Sequence, residues 1–135
     1  MMKALLFILT VTSLYGCTAT QQKMDGCEIP ELSGKSCVKP NYANISQHPL
    51  GISASNPIKA DGPQGQRDYL KRLICPDGRA VKSFSRVGSV GISPYGFMMD
   101  LYDVKCKNKT YSVYIDMYHP DYIENIPVDG FTIKH

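Results

Sequence analysis

A chain of 135 residues with 43% apolar and 20% charged side chains is ordinary for one small folded domain. Its net charge of +3 falls to +2 once residues 1–16 are set aside, since they hold one base, Lys3, and no acid, leaving 14 bases against 12 acids. A surplus so weak and evenly spread gives no argument for a nucleic-acid partner, so none is expected, and it permits only a mild attraction to anionic surfaces.

The first element in chain order is "MMKALLFILTVTSLYGC", residues 1–17. Lys3 is a positive lead, and the apolar region after it is too short for a permanent bilayer span, which needs ~18–20 residues. It has the length of a signal-peptide core. The run ends in Leu14-Tyr15-Gly16-Cys17. This resembles the lipobox of bacterial prolipoproteins, in which a leucine, a variable residue and a small residue precede a cysteine. Tyr15 departs from the small or aliphatic residue usual at its place. The resemblance implies cleavage before Cys17, diacylglycerol on its thiol and acylation of the new N-terminus. Each buried CH₂ adds ~0.8 kcal/mol, so two or three acyl chains anchor where one does not. Thr18 follows in place of an aspartate, which by analogy with enteric lipoproteins points to the outer membrane, facing the periplasm.

Of the five cysteines, four remain for disulfides: Cys27, Cys37, Cys75 and Cys106. An oxidising periplasm lets such bridges persist. Four cysteines allow three pairings, and closeness in the chain favours Cys27–Cys37 with Cys75–Cys106. The second of these is worth roughly 3–4 kcal/mol in the chain-entropy model. Metal or redox chemistry is not expected, because no C-x-x-C occurs and the spacings of 9, 37 and 30 intervening residues are not finger-like. No cofactor is expected.

Residues 17–57 read as the lipidated N-terminus and a tether, interrupted by Pro30, Pro40, Pro49 and Pro57. The domain, 58–135, is expected to begin near Ile58. "ADGPQGQRDYLKRLICPDG", residues 60–78, carries the best helix signal. Asp61 and Gly62 sit at the cap, Pro63 suits the first turn, and Tyr69, Leu70, Leu73 and Ile74 form one apolar face. Arg72 stands four residues after Asp68, a helix ion-pair spacing. Three strands follow. "VKSFSRVGSVGI" is weakened by Gly88 and Gly91. "FMMDLYDVKCK" shifts its apolar phase from Phe97-Met99-Leu101 to Tyr102-Val104-Cys106, which predicts a bulge near Asp100–Asp103. "TYSVYIDMYH" alternates cleanly, with Tyr111, Val113, Ile115 and Met117 on one side. The expected fold is α+β: one short helix packed on a three-stranded antiparallel meander. From "GPQGQRDYLKRLICPDG" to "DMYHPDY", residues 62–122, the chain resembles small proteobacterial lipoproteins of unknown function. That resemblance implies no activity.

Candidate chemistry is sparse. Asp116, His119 and Asp121 offer oxygen and nitrogen ligands for a metal-assisted hydrolase, but residues 116 and 119 point to opposite faces of a strand. A polar strand end with a His-Pro turn is the simpler reading. Asp100, Asp103 and Asp116 form a second acidic set that solvated strand faces and bulge residues explain more simply. No serine stands in a G-x-S-x-G elbow, so no enzyme activity is expected. Nine tyrosines without a tryptophan leave one further feature. Tyr102, Tyr114 and Tyr118 are candidates for a shared sheet face that meets a partner, since tyrosine is enriched at interfaces. The expected role is a lipid-anchored envelope protein, held to the membrane through Cys17, that binds another envelope protein. A small-ligand or glycan-binding module is the alternative.

Overall fold

The fold is taken from a computed structural model and described over residues 39–135. The signal segment and Cys17, Cys27 and Cys37 lie outside the described residues. The elements are α1 (Tyr42–Ile45), β1 (Ile58–Lys59), α2 (Gly62–Arg72), β2 (Leu73–Ile74), β3 (Ser83–Ile92), β4 (Met98–Lys105), β5 (Thr110–Asp116) and β6 (Thr132–Ile133). The architecture is α+β, with α2 against the antiparallel meander β3–β4–β5. To this β1 adds a short parallel strand, giving the order β1-β5-β4-β3, while β2 and β6 form a separate antiparallel pair.

Alternation sets the faces. In β5, Val113 and Ile115 are fully buried while Ser112 is exposed, as a strand with one covered face requires. β4 pairs with β5 without a break from Met99–Asp116 to Lys105–Thr110. The bulge expected near Asp100–Asp103 is therefore absent from β4. Asp100, Tyr102 and Val104 hold one constant inward phase. The apparent phase shift arises because a buried carboxylate, Asp100, occupies a core position. The irregularities lie in β3 instead. Its register slips between Arg86 and Gly88 and again between Ser89 and Ile92. The first slip sets Ser89, in place of Gly88, opposite Asp100.

Helix α2 starts at Asp61, which makes no side-chain cap, and carries Pro63 in its first turn, where the missing N–H costs nothing. It buries Gln66, Tyr69 and Leu70. Leu73 extends this stripe at the i, i+3/i+4, i+7 spacing, yet neither Leu73 nor Ile74 is helical. Leu73 turns extended at ψ 140° because its strand pairs with Ile133 and leads Cys75 to Cys106. Nor does Arg72 pair with Asp68. Asp68 takes Lys71 at 3.2 Å, and Arg72 turns to Asn125 and the carbonyl of Glu124. The disulfide Cys75–Cys106, with Cα atoms 6.0 Å apart, ties the end of the helix region to the end of β4.

Residues 39–57, expected as tether, belong to the folded unit as far as the structure describes them. The Tyr114 N–H donates to Gly51 O at 2.7 Å, the Asp129 N–H to Leu50 O at 2.9 Å, and the Asn56 amide to His48 O at 2.7 Å. Gly51 has φ +77°, and a Cβ there would lie 3.0 Å from Val128 Cγ2, so only glycine fits. The core is formed by fully buried Ile58, Leu70, Leu73, Val104, Val113 and Ile115, each worth ~1.5–3 kcal/mol of apolar burial. Among the described residues no helix is long and apolar enough to cross a membrane.

Candidate functional site

The three candidate tyrosines do not share a face. Tyr102 lies opposite Val113 in the register, so it points toward the helix, where it is 4% exposed. Its hydroxyl donates to Gln66 Oε1 at 2.8 Å. Tyr114 is opposite Leu101 on the other face, and Tyr118, beyond the strand, stacks on Phe97 at 6.0 Å. A contact surface built on all three is thereby excluded.

Tyr102 serves a buried polar network instead. Gln66 passes a hydrogen bond to Asp100 Oδ2 at 3.2 Å. Arg86 grips the same carboxylate with Nε and Nη2, both at 2.8 Å, and Ser89 Oγ donates to it at 3.1 Å. Burial pushes the Asp100 carboxyl up, but the bonds from Arg86, Gln66 and Ser89 outweigh it and hold the group below its ordinary value. Burial, with the Asp100 charge nearby, raises the Tyr102 phenol.

The second acidic site is also internal. Asp116 is 0% exposed and accepts from the Ser93 hydroxyl and from the Tyr118 N–H at 3.0 Å. Strand parity separates Asp116 from His119, yet the strand ends at Asp116 and the bend after it returns the imidazole. His119 Nε2 lies 3.3 Å from Asp116 Oδ1, buried, and makes no hydrogen bond. The rings of Tyr95 and Phe97 stand 5.2 and 5.8 Å from it, edge to face. Burial, helped by the Glu124 charge, pushes the Tyr95 phenol up to about 12. Asp121 is exposed at φ +61° in the His119–Tyr122 turn, closed by a 3.1 Å hydrogen bond. Among the described residues no three His, Cys, Asp or Glu side chains converge on a metal position. Asp100 faces the helix while Asp103 and Asp116 face away, four register positions apart, or ~13 Å along the strands. The acidic set is not a site.

A cleft of 420 Å³ opens between α2 and residues 121–124. Its lining includes Lys59, Asp61, Asp68, Asp121 and Tyr122, with the Lys59 ammonium 4.2 Å from the Tyr122 ring centre. Glu124, also in the wall, is occupied: its Oε1 accepts the N–H groups of Asn125 and Ile126, each at 3.1 Å.

An exposed apolar stretch runs along β3. Strand order places it at the sheet edge, whereas the free edge of β5 is covered by β1 and Gly51. Val87 is 57%, Val90 41% and Ile92 47% exposed, with Met98 beside Ile92 in the register. The one charge in the strand, Arg86, is bound by Asp100. Sequence reading passes over these residues because Gly88 and Gly91 weaken the strand signal. The usable signal is a ten-residue stretch holding three branched apolar residues and one charge. Comparison of the chain with known families, with known proteins and with solved structures finds no match.

Proposed function

We propose that this chain is a lipid-anchored cell-envelope protein, held to the outer membrane through Cys17, whose domain docks another envelope protein without catalysing a reaction. The observation that carries the docking role is the open β3 edge. A long strand with unpaired backbone groups, exposed valines and no free charge is a template for an added strand. No proline falls within it, and its one charge, Arg86, is held by Asp100. The partner presents an extended, largely apolar segment. The three buried carboxylates among the described residues, Asp100, Asp116 and Glu124, are committed to internal bonds, which supports a non-enzymatic role.

The test is crosslinking in intact cells, followed by capture through a tag after His135. One abundant envelope protein is expected, and Val87→Lys with Val90→Lys abolishes its recovery while the far-UV spectrum stays unchanged. Recovery that survives both substitutions refutes the edge as the docking site. Intact mass of the mature protein tests the anchor: cleavage before Cys17 with added acyl mass is expected, and an unmodified Cys17 refutes it. The 420 Å³ cleft favours a second reading, binding of a small ligand or glycan against Tyr122, and is of the size such sites have.

A further inference from the structure

The basic residues are scattered along the sequence, and the fold gathers five of them at one end. Arg79 and Lys82 follow the turn after Cys75, Lys105 ends β4, and Lys107 and Lys109 lie in the β4–β5 turn; all five are exposed. Their backbone frame is fixed. The Cys75 N–H donates to Arg79 O at 2.7 Å, that of Lys82 to Lys105 O at 2.8 Å and that of Cys106 to Lys109 O at 2.9 Å. The Cys75–Cys106 bridge clamps the two loops together. The acids within residues 75–82 and 103–110 are Asp77, which accepts the Arg79 N–H at 3.1 Å, and Asp103, two positions inboard on β4. Five bases against these two leave +3, equal to the net charge of the whole chain. The even spread expected from sequence is corrected here: register and disulfide place residues 79, 82, 105, 107 and 109 side by side. Among the described residues no ion pair engages any of the five.

We propose that this basic end docks on anionic phospholipid headgroups. Four of the five cations are lysines, point charges on flexible stems, which suit a diffuse field rather than bidentate recognition of one phosphate. Tyr111, the ring beside them, lies under the Lys109 ammonium at 4.7 Å and against Phe131 at 5.0 Å. It is therefore not free to stack on a base, as single-stranded nucleic acid requires. The described chain enters at the far end, where Tyr42 packs on Tyr95 in the β3–β4 turn. The 22 residue-to-residue steps from Cys17 to Lys39 reach at most ~75 Å, against ~26 Å for the length of β4. A lipid on Cys17 thus leaves room for the basic end to lie on the same membrane. The choice of a lipid surface rests on the proposed export. The test is separable from it, because headgroup preference is read whether or not Cys17 is acylated.

The full chain is co-sedimented with vesicles of phosphatidylcholine alone and of phosphatidylcholine mixed with phosphatidylglycerol, at low and physiological ionic strength. Any apolar anchor contributes equally to both, so the ratio of the two partition coefficients reads the headgroup effect. Each cation near an anionic surface contributes roughly fivefold. Lys105→Gln/Lys107→Gln/Lys109→Gln should therefore cut the anionic preference about a hundredfold, and salt should weaken the wild-type preference. Lys39→Gln/Arg67→Gln/Lys71→Gln, with the same charge loss elsewhere, should keep it. Absence of a preference in the wild type, or equal loss in both variants, overturns the proposal. So does capture by a soluble polyanion such as heparin without vesicle binding, which would assign the basic end to a polymer.

Discussion

Gln66 is the hinge of the buried network, and a double-mutant cycle measures it. It accepts from the Tyr102 hydroxyl at 2.8 Å and donates to Asp100 at 3.2 Å, all three side chains being buried. Gln66→Leu leaves the Tyr102 hydroxyl without its acceptor, a desolvation cost of ~1–3 kcal/mol. Tyr102→Phe leaves Gln66 Oε1 without its donor at a similar cost. The double variant removes both ends of that bond, so it should be less destabilised than the sum of the singles by at least ~1 kcal/mol. A pH signature accompanies it. The folded-state pKa of Asp100 is depressed, because bonds from Arg86, Gln66 and Ser89 outweigh the raising effect of burial. Its stabilisation is therefore present above the unfolded carboxylate pKa, near ~3.9, and lost as the pH falls through the folded value. Without the Gln66 donor the folded value rises toward the unfolded one, so on acidification Gln66→Leu should lose less stability than the wild type, and its acid limb should level off at a higher pH. Urea unfolding of the oxidised protein, followed by far-UV circular dichroism and tyrosine fluorescence, gives both results; the chain has no tryptophan. Strictly additive costs, or superimposable acid limbs, would refute the reasoning.

Gly51→Ala should cost ~2 kcal/mol or more, from the left-handed backbone and the approach to Val128. A denaturation midpoint unchanged by it would show that residues 50–51 are not packed on the sheet. His119→Phe should change stability by less than ~1 kcal/mol, since Nε2 makes no hydrogen bond and the ring already sits among aromatics. Asp116→Ala should cost ~2–4 kcal/mol by stranding the Ser93 hydroxyl and the Tyr118 N–H. Thermal unfolding of the two variants side by side decides whether that reversed order of costs fails. Opening the Cys75–Cys106 bridge by Cys75→Ala/Cys106→Ala should remove about 3–4 kcal/mol, and a loss below ~1 kcal/mol would show that the bridge adds little to this fold.

What was legible in the sequence followed local periodicity. β5 reads directly from its alternation, and α2 from Pro63 and the Tyr69-Leu70-Leu73 spacing. The helix end was misread because an apolar stripe does not reveal that Leu73 leaves the helix while keeping its place in the core. β4 was misread because Asp100 looks like a solvent-facing residue until Arg86, Gln66 and Ser89 are seen around it. Residues 39–57 hid behind Pro40, Pro49 and Pro57, which bar a long helix but not a packed loop. Neither the edge position of β3 nor the basic end was readable, since each depends on register between distant segments.

The Cys75–Cys106 bridge has a mechanical consequence. It closes a covalent ring with a sequence separation of 31, and β3 and β4 both lie inside that ring. Tension applied between the proposed anchor at Cys17 and a load near the C-terminus runs through the bridge and bypasses β3 and β4. Roughly 100 Å of contour length stays hidden until the bridge is reduced. A partner paired along β3 would then sit on a strand that pulling does not extend. The edge most exposed to another chain is also the part of the sheet best shielded from being drawn out by force.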